Sequence, residues 1–239
     1  MKVFHIMARR SCACITLGAA LFSASIAHAG DFYQQHNLVS DGSITADHTD
    51  ANLVNSWGVA FNPFGAQWVN DNHAGVSTLY DGAGVPQSLI VQIPSPSDPN
   101  AGGSPTGIVF SGSPNGFVVS RNGISGPSRF IFATEDGIIA GWAPNLETPV
   151  ATHAVKAVDN SPSGAIYKGL AMSAGGGGSL IYAADFHNNK IDVFDGTFAP
   201  VVLAPGAFRD STIPAGFAPF GMQAINGNIY VSYAKQDAD

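Results

Sequence analysis

Beyond its first 29 residues the chain has no cysteine. Cys12 and Cys14 are the only two, and both fall inside that opening stretch. The remainder therefore holds no disulfide, no thiol nucleophile and no thiolate metal site. Charge is also scarce, at 11% of residues, and what there is leans acidic. Without residues 1–29, seven Lys and Arg stand against 17 Asp and Glu, a net charge of −10. With no cluster of Lys or Arg, nucleic acid and anionic membranes are poor partners for such a surface. Long stretches of Ala, Glu, Lys and Leu, the usual material of helices, are missing too. So are a Gly-x-Ser-x-Gly elbow, a His-Glu-x-x-His pair, a phosphate-binding glycine loop and a Cys-x-x-Cys-His haem attachment. Gly175–Gly178 leads into Ser-Leu-Ile on a strand pattern and reads as a flexible connection. His, Asp and Ser all occur, but no spacing ties them into a triad.

Residues 1–29 have the pattern of an export signal. Lys2, Arg9 and Arg10 make a positive start, Ser11 to Ile26 is mostly apolar or small, and Ala27-His28-Ala29 is an A-x-A cleavage site. The apolar run falls short of the ~20 residues a membrane span needs. The neighbours of Arg9-Arg10 match a twin-arginine signal poorly, so the general secretory route is expected. No cysteine follows the cleavage site to carry a lipid. The expected product is exported, periplasmic or extracellular, with no integral membrane segment.

What the chain does have is glycine (28), proline (15) and a repeated hairpin. Leu180 to Ala184 is an apolar run of strand length, Asp185 to Asn189 a polar turn, and Lys190 to Phe194 an alternating strand closed by Asp195-Gly196. Trp68 to Gly82 aligns with Tyr182 to Gly196 without a gap. Asp71 falls on Asp185, His73 on His187, and Asp81-Gly82 on Asp195-Gly196. Each hairpin follows a bulky or polar residue, a glycine and a short apolar strand: Trp57-Gly58, Thr106-Gly107, Lys168-Gly169 and Phe220-Gly221. The glycines are 49, 62 and 52 residues apart, a period that indicates propeller blades of several strands each. A residue without a Cβ on the innermost strand lets neighbouring backbones approach at a crowded centre. Pro94 to Pro105 and Glu147 to Ser163 read as connections between blades, the latter carrying most of the excess in the long interval.

The reading is therefore an all-β fold, an incomplete β-propeller over residues 30–239. Its four units begin near residues 57, 106, 168 and 220. The fourth lacks an equivalent of Lys190 to Phe194, so the chain is expected to be a fragment of a longer protein. The unit Gly169 to Asp195 resembles an NHL-type repeat. More of the chain is similar to a family of exported bacterial propeller proteins of unassigned function. That similarity rests on Asn37 to Asp41, Asn52 to Ala60 with its Trp57-Gly58, Phe130 to Trp142, Phe217 to Gly221 and Tyr230 to Asp239. The resemblance implies a ring of six blades when complete and supplies no catalytic residues.

The turn after the second strand carries an acid in three units, Asp71, Glu135 and Asp185, with Tyr233 in the fourth. Together with His73 and His187 these groups would face the end of the central channel, where ligands of propellers commonly sit. Oxygen ligands would suit Ca²⁺, and added imidazoles a transition metal. The plainer reading is that each Asp caps the backbone N–H groups of its own turn, and that the histidines match because the turns do. Asp47-His48-Thr49-Asp50 fits no calcium loop and reads as a connecting loop. Asp41-Gly42, Asp81-Gly82 and Asp195-Gly196 are turn chemistry. Trp57, Trp68 and Trp142 read as packing between blades ahead of a carbohydrate platform. Two functions follow: a secreted module binding a protein or glycan, placed first, and a Ca²⁺-dependent hydrolase of the propeller-lactonase type.

Overall fold

A computed structural model describes residues 33–63, 65–173 and 179–237. The expected signal, Met1 to Ala29, and the Gly175–Gly178 connection lie outside the described residues. From His36 onward the chain forms one unit. A short parallel pair opens it, β1 (Val39–Ser40) beside β2 (His48–Thr49).

The first blade is an antiparallel meander of β3 (Ser56–Phe61), β4 (Gln67–Asp71), β5 (Val76–Tyr80) and β6 (Val91–Gln92). The second begins with β7 (Pro105–Phe110) and detours through the hairpin β8 (Val118–Arg121) and β9 (Ile124–Pro127). It then resumes with β10 (Phe130–Thr134), β11 (Ile138–Trp142) and β12 (Val155–Asp159). These four pair in the order β7, β10, β11, β12. The third blade has β13 (Tyr167–Ser173), β14 (Leu180–Asp185) and β15 (Lys190–Phe194). The fourth has β16 (Phe217–Ile225) and β17 (Asn228–Lys235).

The inner strands β3, β7, β13 and β16 follow one another around the axis, and their glycines explain how. A Cβ on Gly58 would come within 2.3 Å of the Thr106 carbonyl oxygen. One on Gly107 would lie 2.4 Å from the Leu170 amide nitrogen, and one on Gly169 2.5 Å from the Phe220 carbonyl oxygen. Real Cβ atoms do not approach backbone so closely, so the spacing between blades depends on their absence. Polar bonds fix the same contact. The Asn70 amide donates to the carbonyls of Thr106 and Gly107, both at 3.1 Å, and the Thr106 hydroxyl donates to the Tyr167 carbonyl at 2.7 Å. This radial succession of meanders is a β-propeller. Between the first two blades, buried Trp68, Phe130, Phe132 and Trp142 form an aromatic cluster within the core.

The second blade differs from its expected layout in two ways. Val155–Asp159 within the supposed connection is an outer strand, paired with β11 from Ile138↔Asp159 to Gly141↔Val155. The extra length of that interval lies instead in the inserted β8–β9 hairpin. Its tip, Asn122-Gly123, has φ of +52° and +80°, the left-handed pair that two-residue hairpins favour. The Asp47 to Asp50 stretch is likewise more than a loop, since His48 and Thr49 pair with Val39 and Ser40.

Candidate functional site

Strand register defines equivalent positions. The residue two before each inner glycine pairs with the last residue of the second strand in the two complete-repeat hairpins, Ser56↔Asp71 and Tyr167↔Asp185. The corresponding pairs in the other blades are Pro105↔Thr134 and Pro219↔Tyr233. Thr134, not Glu135, therefore stands where Asp71 and Asp185 stand. Glu135 is one residue further on, level with Asn72 and Phe186. A shift of one residue turns a side chain to the opposite face of the strand, which separates Glu135 from the two aspartates.

Asp71 and Asp185 are both fully buried within their own blades. Asp71 accepts from the Ser56 hydroxyl at 2.9 Å and lies 2.6 Å from the Thr78 hydroxyl. That hydroxyl is 2.9 Å from the Tyr80 phenol, which donates to Asp50 at 2.9 Å. Asp50 in turn holds the backbone and side-chain amides of Asn52. Burial, reinforced by the charge of Asp50, pushes the Asp71 carboxyl up to about 6 although the hydroxyls of Thr78 and Ser56 pull it down. Burial drives the Tyr80 phenol upward as well, with the hydroxyl of Thr78 opposing and Asp50 adding to the rise.

Hydrogen counting agrees with a proton on Asp71 when the pH is low. The three contacts from Asp71 through Thr78 and Tyr80 to Asp50 need three hydrogens. The two hydroxyls supply two, and a protonated Asp71 supplies the third.

Asp185 is satisfied differently. It accepts from the amides of Ile166 and Asn188, both at 3.2 Å, and from the Asn188 side chain at 2.8 Å, with the Lys190 ammonium 3.7 Å away. His73 and His187 are exposed on the turns of blades one and three; the backbone N–H of His73 donates to Val54, and the His187 carbonyl accepts from Gln236 at 3.2 Å. The turn aspartates behave as their dipeptides indicate. Asp81 caps Ala83 and Val85, Asp195 caps Thr197 and Ala199, and Asp41 caps Ser43.

Among the described residues no three His, Cys, Asp or Glu side chains come close enough together to hold a metal ion. Asp71 and Asp185 are spent on their own hairpins. Glu135 is ion-paired to Lys168, which puts an ammonium where a bound cation would have to be. These side chains do not fit a Ca²⁺ site.

What does converge at the axial end of the inner strands is a different set. The Trp57 indole N–H donates to Asn55 at 3.3 Å, the Asn55 amide to Asn72 at 3.1 Å, and the Asn72 amide to Glu135 at 2.9 Å. Lys168 donates to the other Glu135 oxygen and lies 5.1 Å from the Trp57 ring centre, closing the circuit. A cation at that distance is attracted by the indole face. Phe220 adds an aromatic wall, 5.6 Å from Trp57 and 5.5 Å from Phe186. Asn55 holds a φ of +54°, a left-handed conformation that asparagine tolerates better than most residues. All four blades thus contribute, through residues beside the inner glycines or one past the strand end, with Asn55 just ahead of β3. Asn55, Asn72, Lys168 and Phe220 escaped the sequence reading as site residues. For Lys168 and Phe220 the recurring residue before each glycine was the signal; Asn55 and Asn72 had none.

The arrangement offers an aromatic surface, two primary amides and a neutralised ion pair. It has no nucleophile held by a base. Trp68 and Trp142 are buried between blades, as packing requires, whereas Trp57 is partly exposed at the axis.

No family model matches the chain. It is similar to two uncharacterized proteins of Acanthamoeba polyphaga mimivirus, R648 and L690, at 29% and 28% identity over 203 residues, or 84% of this chain. Those residues make up 48% and 52% of the two viral proteins. The chain thus spans about half the length of the curated relatives it matches. Among solved structures it is similar to virginiamycin B lyase from Staphylococcus aureus, with a TM-score of 0.49 and 14% identity, covering 74% of this chain and 48% of that one. The β-propeller domain of Cps50 (Swd1) from Myceliophteria thermophila is also similar, with a TM-score of 0.42 and 12% identity over 70% of this chain and 46% of that one.

Proposed function

We propose that this propeller is an exported binding module and that it takes a glycan at the axial end of its inner strands. The observation that carries this reading is the closed circuit of Trp57, Asn55, Asn72, Glu135 and Lys168. An indole face offers a surface for the C–H side of a sugar ring, and fixed amides and a carboxylate offer directional partners for its hydroxyls. Both are locked by bonds to each other, so little ordering remains to be done when a ligand arrives. Export is part of the proposal and rests on the pattern of Lys2 to Ala29. Kinship with the exported bacterial propellers belongs to it too, and rests on stretches such as Asn52 to Ala60. The calcium-dependent hydrolase has less support, because the acids it needs are apart and already partnered.

A glycan array probed with the purified protein tests the site. Binding to a defined set of oligosaccharides is expected, with loss of at least about tenfold in affinity on Trp57→Ala, the loss of a stacking platform. An array with no bound glycan, or a Trp57→Ala protein that binds as well as the parent, overturns the reading.

A further inference from the structure

A second concave site lies at the other end of the blades. The pairs Ser56↔Asp71 and Pro105↔Thr134 mark the axial end described above, while Phe61↔Gln67 and Phe110↔Phe130 mark its opposite. At that opposite end, between the first and second blades, is a cleft of about 580 Å³. Trp68, Leu79, Leu89, Phe110 and Trp142 line it, and Arg129 is its one charged residue. The size lies within the range of small-molecule sites, and so does the pattern of apolar walls with a few placed polar groups, here Arg129 and Asn62.

Arg129 is the telling residue. Its backbone is held on both sides, its N–H donating to the Trp142 carbonyl and its carbonyl accepting from Ser111, both at 2.8 Å. Its position in the cleft wall is therefore fixed by the sheet. Its guanidinium has no ion pair and no hydrogen bond among the described residues. Arg121, two strands earlier, is the contrast: it pairs with Glu147 at 2.9 Å and with Asn100 at 2.8 Å. In a chain with 17 acids and 10 basic residues, a half-buried arginine set among aromatics and left without a carboxylate is an unfilled half of a bidentate pair.

We propose that this cleft binds a small aromatic carboxylate, its ring against the apolar walls and its carboxylate on Arg129. The aromatic character follows from the walls. Trp68 is stacked 3.9 Å from Phe130 and packs 4.8 Å from Trp142, so the cleft presents flat surfaces and ring edges. The anionic character follows from Arg129. The site is separate from the axial circuit in residues and in place, and holds whether or not the axial end binds a glycan.

The test uses 2-naphthoate and its uncharged counterpart 2-naphthamide, with intrinsic tryptophan fluorescence as the readout, since Trp68 and Trp142 line the cleft. Saturable quenching by 2-naphthoate is expected, with an affinity at least about tenfold above that of the amide, the worth of one charge-assisted bidentate contact. Arg129→Gln should bring the acid down to the level of the amide while its melting temperature stays near that of the parent. Equal binding of acid and amide to the parent protein, or no saturable change with either, overturns the proposal without recourse to any variant.

Discussion

The first and third blades place an aspartate at the same point of the same hairpin, bury it completely, and treat it in opposite ways. Asp185 is surrounded by donors: two backbone amides, a side-chain amide and a nearby ammonium. Asp71 has hydroxyls, and behind them a second carboxylate on Asp50. The position at the end of the second strand is set by the repeat, but the hydrogen bonds it receives are set by a few partners. Thr78 in the first blade corresponds to Asp192 in the third, and the turn residue Gly75 to Asn189. Identical backbone does not imply identical chemistry.

Removing the well-served carboxylate should have the largest effect. Asp185→Ala leaves the Ile166 and Asn188 donors without an acceptor, and a loss of about 3 kcal/mol or more is expected in urea unfolding. A loss below about 1 kcal/mol would show that water serves those donors equally well.

The opposite sign is expected at the matching site. Asp71 has a folded pKa near 6, above that of an unfolded aspartate, so the folded protein holds this proton more tightly. Its contribution is most favourable below about pH 4 and is lost as pH rises from there through about 6. At neutral pH the buried charge costs about 2–3 kcal/mol at 1.4 kcal/mol for each tenfold change in proton affinity. Asp71→Asn supplies the missing hydrogen permanently, so it should stabilise the protein at pH 7 and lose that advantage by about pH 4. A variant less stable than the parent at pH 7 would contradict the account.

The smallest change trims one donor. Ser56→Ala should cost about 1 kcal/mol and move the ionisation of Asp71 to higher pH, read as a carboxyl titration by NMR. An unmoved titration would mean that the Ser56 hydroxyl gives the carboxylate no support.

Blades one and three were legible because their features are local. Strand, polar turn, strand and Asp-Gly recur at fixed offsets, and the inner glycine records a steric demand that one residue meets. The second blade was less legible. Val155–Asp159 places Lys156 among small apolar residues between Pro149 and Pro162, so its composition resembles a connection, and only pairing with β11 makes it a strand. The β8–β9 hairpin did leave a signal in Asn122-Gly123. Glu135 matches the two aspartates in type and nearness to a turn, but direction on a strand depends on parity, and Thr134 holds their position. The circuit it joins runs from Asn55 to Lys168, and pairings over that distance leave no mark in residue spacing.

The inner glycines also have a polarity. The first three receive backbone from the blade that follows in sequence: Gly58 from Thr106, Gly107 from Leu170, Gly169 from Phe220. Each of these three joints has a receiving side and a donating side, a heterologous contact that repeats by rotation. A gene duplication that copies one unit delivers both halves of the joint together. Such a copy can be spliced between existing units without any new surface having to evolve. The number of blades a closed ring holds then answers to the angle turned at each joint.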